Sequence, residues 1–276
     1  MDEMIKVFIL GVVQGITEFL PVSSTGHLLV TSALLRSEVA ERLGGTLEIF
    51  IQLGSMLAVI GFYRADLWRQ VTTVRHDRDV QWLWVCIVIA SIPAAIAGFL
   101  LRDFIKDNIF PADTAPFVVA TMLITVGLIF IMVENRRNVD ESQLTAQLGA
   151  ISFRQAVLVG LAQACALVPG VSRSGASIVG ALLSGMNRQV ATTFSFYLAI
   201  PVLGGATVLD FLLSMDDIES GDLLYLAVGT IVTAIVSWVA IGWLLRYISS
   251  NDFTIFGYYR IFAGITIFVL LAISVL

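Results

Sequence analysis

Pro21-Val22-Ser23-Ser24-Thr25-Gly26-His27 cuts one apolar run in two, and Pro169-Gly170-Val171-Ser172-Arg173-Ser174-Gly175 cuts another. Before the first break lies Met4–Leu20; after it comes His27–Leu35, about 14 Å as a helix. Before the second lies Ala156–Val168; after it comes Ala176–Gly185, again about half a bilayer. Proline and glycine stop a helix, and serine caps the next one. Each region therefore reads as a helical hairpin that enters a membrane to mid-depth and returns. Irregular backbone at that depth is tolerated only inside protein or beside water. A site is expected at the breaks.

The two regions are copies. A shift of 149 residues, without a gap, lays Gly11 on Gly160, Gln14 on Gln163, Val22 on Val171, Ser23 on Ser172 and Gly26 on Gly175, with Thr25 on the similar Ser174. Six further stretches approach the ~20 apolar residues a spanning helix needs: Leu47–Tyr63, Trp82–Leu101, Ala115–Val133, Val190–Leu213, Leu223–Leu245 and Phe256–Leu276. Three of them separate the hairpins, so the second hairpin enters from the opposite side. The predicted fold is an all-α integral membrane protein with an inverted-topology repeat. It has six full transmembrane helices plus two re-entrant helical hairpins meeting near the bilayer midplane. Residues 1–276 form one polytopic membrane domain, with repeat 1 at about 1–135 and repeat 2 at about 150–276. Continuous apolar runs argue against a β-barrel.

Composition agrees with this reading. Of 276 residues 58% are hydrophobic, and only 13% are charged, about half the usual ~25%. So few charges cannot cover a water-exposed surface. Disorder, nucleic-acid binding and almost any soluble enzyme are excluded, and no nucleic acid is expected as a partner. Cys86 and Cys165 lie in apolar stretches and are expected to stay unpaired. Lys6 before Val7–Val13 looks like the start of a signal peptide, but Gln14 and Glu18 interrupt the run and no small-x-small cleavage site follows. The segment is expected to be retained. Gly11-x-x-x-Gly15 is a packing motif, and Tyr63, Trp82 and Tyr247 read as interface anchors.

Loop charges predict orientation. Arg64, Arg69, Arg75, Arg78, Arg136, Arg137, Arg154, Arg188, Arg246 and Arg260 fall on one side, against Lys6, Arg36, Arg42, Arg102 and Lys106 on the other. Ten against five puts the first side in the cytoplasm. Both termini then lie outside. Accessibility of cysteines placed at Ser220 and Arg75 tests this orientation.

Half-helices that begin at mid-membrane aim their N-termini at one another. Each presents free N–H groups and about half a positive charge. With the hydroxyls of Ser23, Ser24, Thr25, Ser172 and Ser174, the turns at Gly26 and Gly175, and the Arg173 guanidinium, the site suits an anion with several oxygens, phosphate above all. An arginine at bilayer centre costs at least ~2.5–3.5 kcal/mol. Either a ligand or an ion pair with Glu18 repays it, and the two readings are compatible. Glu18 and Gln14 share a helix face, and an intramembrane carboxylate reads as functional. His27 opens the first returning half-helix and reads as an acid–base group. Gln14 and Gln163 either serve the site or bond helix to helix. Glu48 and Gln52, one turn apart, either face the same cavity or sit at the interface. Glu, His, Ser and Arg together permit phosphoryl transfer. Glu18 offers one oxygen ligand to a divalent cation that phosphate oxygens would complete. Arg173 must then lie within ~15 Å of Ser24 and His27 for one headgroup to bridge them.

Gln14-Gly-Ile-Thr-Glu18-Phe-Leu-Pro21-Val-Ser-Ser-Thr-Gly-His27 resembles the (E/Q)xxxE–PxSSTGH signature of bacterial undecaprenyl-diphosphate phosphatases of the bacitracin-resistance type. Pro169–Gly175 is similar to their PGxSRSG motif, and Ile51-Gln-Leu-Gly-Ser55 also matches. The resemblance covers essentially the whole chain. Gln14 stands where many members carry Glu, which leaves Glu18 alone in the carboxylate role. The resemblance implies hydrolysis of undecaprenyl diphosphate to undecaprenyl phosphate and inorganic phosphate, which recycles the lipid carrier for peptidoglycan and confers bacitracin resistance. It implies a multi-pass protein of the inner (plasma) membrane with its site open to the outer face, and a divalent cation, Mg2+ or Ca2+. It also implies Glu18, Ser24, His27 and Arg173 as the catalytic group, with Ser23, Thr25, Ser172 and Ser174 around the phosphates. A homodimer is compatible with it. The alternative function is a polyprenyl-phosphate flippase using the same anion site, which needs neither nucleophile nor base.

Overall fold

The computed structural model describes residues 1–43, 45–108, 114–137, 143–214 and 221–275. Twelve α-helices are described: α1 (Glu3–Thr17), α2 (Ser24–Leu35), α3 (Glu38–Leu43), α4 (Gly45–Phe62), α5 (Arg64–Thr73), α6 (Arg78–Asn108), α7 (Ala115–Asn135), α8 (Phe153–Ala164), α9 (Arg173–Leu183), α10 (Arg188–Ser214), α11 (Leu223–Ile248) and α12 (Thr254–Ala272). Among the described residues the only β feature is an isolated bridge between Thr145 and Met186.

Five helices, α4, α6, α7, α11 and α12, are long and apolar enough to cross a membrane. The sixth expected span, Val190–Leu213, falls within α10, which is 27 residues long. Large apolar side chains point outward from these helices, Phe99 and Phe262 among them, as a lipid-facing surface requires. The chain is a multi-pass membrane protein. Ser220, one of the two positions named for topology labelling, lies outside the described residues.

Both breaks fold as short helices around an irregular turn. The four helices flanking them have 15, 12, 12 and 11 residues, so at ~1.5 Å per residue none reaches ~30 Å. The returning helices begin at Ser24 and Arg173, three residues earlier than expected. The reason is local. Ser23 and Ser172 act as N-caps, and each hydroxyl accepts the N–H of the glycine three residues on, so the helix starts at the next residue. Helix pairs recur in equivalent sets. α1 packs on α11 and α2, as α8 packs on α6 and α9; α7 packs on α12, and α4 on α10. The α7–α12 crossing is close because a Cβ on Gly127 would stand 2.7 Å from the Gly257 carbonyl oxygen, and one on Gly257 2.8 Å from that of Gly127. Gly11 and Gly15 pack on α11, where the hydroxyls of Thr233 and Ser237 donate to their carbonyls at 3.0 and 3.3 Å.

Two sequence readings are corrected. Arg260, counted among the loop charges, is fully buried two turns inside α12. It stays because it makes hydrogen bonds there, and the charge comparison becomes nine against five. Tyr63 is no interface anchor; it is buried and packs on Phe62 and Tyr197. Both cysteines are free, Cys86 buried and Cys165 exposed.

Candidate active site

Glu18 caps the C-terminus of α1 and is 6% exposed. Its Oε2 accepts from Ser24 Oγ at 2.8 Å and from Gln14 Nε2 at 3.1 Å. Its Oε1 accepts from Arg173 Nη2 at 3.0 Å. One carboxylate therefore gathers a residue from each break, and Ser24 and Arg173 are well inside one headgroup's span. Arg173 also donates from Nη1 to the Ser195 carbonyl at 3.0 Å, and its Cζ lies 5.7 Å from the Phe19 ring centre. Its Nε–H is buried without a protein partner. Two of the five guanidinium N–H donors are engaged, so the planar fork keeps donors for a bidentate oxyanion.

The other named residues fall into four groups. Ser24, Thr25, Gln14, Glu48 and Gln52 line one cavity of about 370 Å³. Apart from Ser32, its remaining wall is apolar, with Leu29, Ala33, Pro116 and Val119 from α2 and α7. Glu48 and Gln52 thus face the site. Ser23, Gly26, Ser172, Ser174 and Gly175 instead build the turns. Ser23 Oγ accepts from Gly26 N at 3.4 Å and Ser172 Oγ from Gly175 N at 3.1 Å. Ser174 Oγ donates to the Leu20 carbonyl at 3.2 Å, tying one break to the other. His27 turns away from Ser24. It lines a separate cavity of about 180 Å³ with Tyr259. Gln163 is buried with neither side-chain atom hydrogen-bonded.

Sequence reasoning missed Arg260. Its Nη1 donates to the Pro21 carbonyl at 3.0 Å, and its Nη2 to those of Gly170 at 2.6 Å and Val171 at 3.0 Å. One guanidinium thus clamps both breaks, and among the described residues it makes no ion pair. The signal was present, since a charge inside an apolar span reads as functional. Its place four residues into the expected span disguised it as an end charge.

A family model for bacitracin resistance protein BacA matches residues 7–266. The chain belongs to this family. An undecaprenyl-diphosphatase of Deinococcus radiodurans is 43% identical over 272 residues, 97% of this chain and 95% of that protein. Proteins of the same description from Enterococcus faecalis and Methylobacillus flagellatus are 38% and 43% identical, covering 98% and 96% of this chain and the same shares of their own length. The BacA match spans both breaks, so Glu18, Ser24 and Arg173 all lie within it.

Proposed function

We propose that this chain hydrolyses undecaprenyl diphosphate to undecaprenyl phosphate and inorganic phosphate. The observation that carries the reading is the Glu18 carboxylate holding the Ser24 hydroxyl on one oxygen and the Arg173 guanidinium on the other. The terminal phosphate binds at the N-terminus of α2, against the Arg173 fork. Ser24 Oγ attacks the terminal phosphorus, its proton passes to Glu18 Oε2, and the P–O bond to undecaprenyl phosphate breaks. Water then hydrolyses the phosphoserine, releasing phosphate and restoring the hydroxyl. A water in place of Ser24 gives the same products, and trapping phosphate on Ser24 distinguishes the two. The charge spread over the equatorial oxygens meets Arg173 and the α2 N–H groups. The apolar wall formed by Leu29, Ala33, Pro116 and Val119 suits the first prenyl units. Recycling of the lipid carrier for wall polymers, and with it bacitracin resistance, follows from this reaction.

A polyprenyl-phosphate flippase has no use for a hydroxyl set on a carboxylate. Phosphate release from undecaprenyl diphosphate by the purified protein in detergent, where no sides exist to flip between, tests the reading. Wild type should release phosphate, and Glu18→Gln should be slower by about 10²- to 10⁴-fold, the usual worth of a general base. No release by wild type overturns it.

In the membrane we place six spans, with α10 as the sixth, and two re-entrant hairpins of opposite entry. Both termini and the mouth of the site face outward, across the inner (plasma) membrane, on the nine-against-five charge bias. Among the described residues no group of three or more His, Cys, Asp or Glu could hold a metal, and both Glu18 oxygens are engaged. A divalent cation, Mg2+ or Ca2+, would take most of its ligands from the diphosphate, with one carboxylate oxygen from Glu18, whose Oε1 accepts a single hydrogen bond, or from Glu48 in the cavity wall. Such an ion would neutralise phosphate charge.

A further inference from the structure

His27 sits between two oxygen atoms. Its Nδ1 is 2.7 Å from the Ser23 carbonyl oxygen, and its Nε2 is 2.7 Å from Tyr259 Oη. A carbonyl only accepts, so Nδ1 carries a hydrogen. In the neutral ring Nε2 is then bare and takes the phenol hydrogen of Tyr259. The two rings stack at 5.6 Å with 5° between their planes. Both contacts of the imidazole are therefore spent away from Ser24.

The equivalent turn shows what the ring does. At the second break Ala176 stands in the place of His27, and its N–H bonds the Ser172 carbonyl at 2.9 Å. At the first break the same backbone bond, His27 N to Ser23 O, is 3.4 Å long. The imidazole Nδ1–H takes over that carbonyl at the shorter distance. Ser23 needs the support, because its φ of 73° lies in a region costly for a residue with a side chain. Ser23 is also the cap that starts α2 and aims Ser24 at Glu18.

We propose that Tyr259 is a positioning residue for the reaction. It locks His27 in the Nδ1–H tautomer, and the ring then holds the strained Ser23 turn that presents Ser24 to phosphate. His27 on this account acts through the backbone rather than as the acid. The functional part of the proposal rests on the phosphatase reading; the tautomer does not.

The chain has only two histidines, so His76→Gln protein carrying isotope-labelled histidine reports His27 alone. Its nitrogen chemical shifts distinguish the tautomers directly. The neutral ring should show a protonated Nδ1 and a bare Nε2, although free imidazole side chains in water favour the reverse. Tyr259→Phe keeps the stacked ring and removes one hydroxyl. It should release the tautomer toward Nε2–H and lower kcat about tenfold, the scale of one lost hydrogen bond, with KM and melting temperature unchanged. An Nε2–H ring in the wild type overturns the proposal. So does a Tyr259→Phe protein with wild-type kcat, or one whose loss is all in melting temperature. If the tautomer is as expected but the wild type releases no phosphate, the lock stands and the phosphatase reading fails.

Discussion

Ser23 and Ser172 hold the same unusual backbone, φ 73° and 76°, and each caps its helix by accepting a glycine N–H three residues on. Their surroundings differ in every group that does chemistry. The first break has Glu18 where the second has Leu167, Ser24 against Arg173, and His27 against Ala176. Its capping bonds are also longer, 3.4 Å against 3.1 Å for the side-chain cap and 3.4 Å against 2.9 Å for the first backbone turn. The second turn is thus a closed bracket that supplies one cation. The first is looser, carries base and hydroxyl, and keeps N–H groups available to an anion. Duplication preserved the backbone that starts each short returning helix and left the side chains free to divide the work.

Four substitutions test that division. Arg173→Lys keeps the charge but loses the fork. Phosphate release should fall about 10²- to 10³-fold, the cost of a lost transition-state donor; rates near wild type would show that the second break supplies only charge. Arg260→Gln removes the clamp shared by both breaks and leaves the carbonyls of Pro21, Gly170 and Val171 short of donors. We expect a loss of roughly 3 kcal/mol in stability, read as a lower melting temperature in detergent; an unchanged melting point would mean that each turn stands alone. The smallest effects separate the two glutamines. Gln163 is buried and unbonded, so Gln163→Leu should be neutral or stabilising by about 1 kcal/mol with activity kept. Gln14 donates to Glu18, so Gln14→Leu should lower kcat several-fold. Equal behaviour of the pair would erase the asymmetry.

The fold was largely legible because its determinants are local. Run length, the proline and glycine interruptions and the serine caps each act over a few residues, and the 149-residue repeat made both breaks visible at once. The site was legible in part. Glu18, Ser24 and Arg173 were named from the sequence, and Glu48 and Gln52, an even choice there, line the same cavity as Ser24. His27 was expected in the catalytic group with Ser24, yet it lines a separate cavity and its Nε2 meets Tyr259.

The sequence alone determined that two apolar runs break into short helices and that a carboxylate, a hydroxyl and a guanidinium lie at the breaks, where burial makes partners necessary. Only the tertiary structure decided who partners whom. Arg260 reaches the breaks from a helix 90 residues beyond Gly170, and Tyr259 reaches His27 from 232 residues away. Such contacts depend on the rotation of one packed helix against another, which no local pattern of residues encodes.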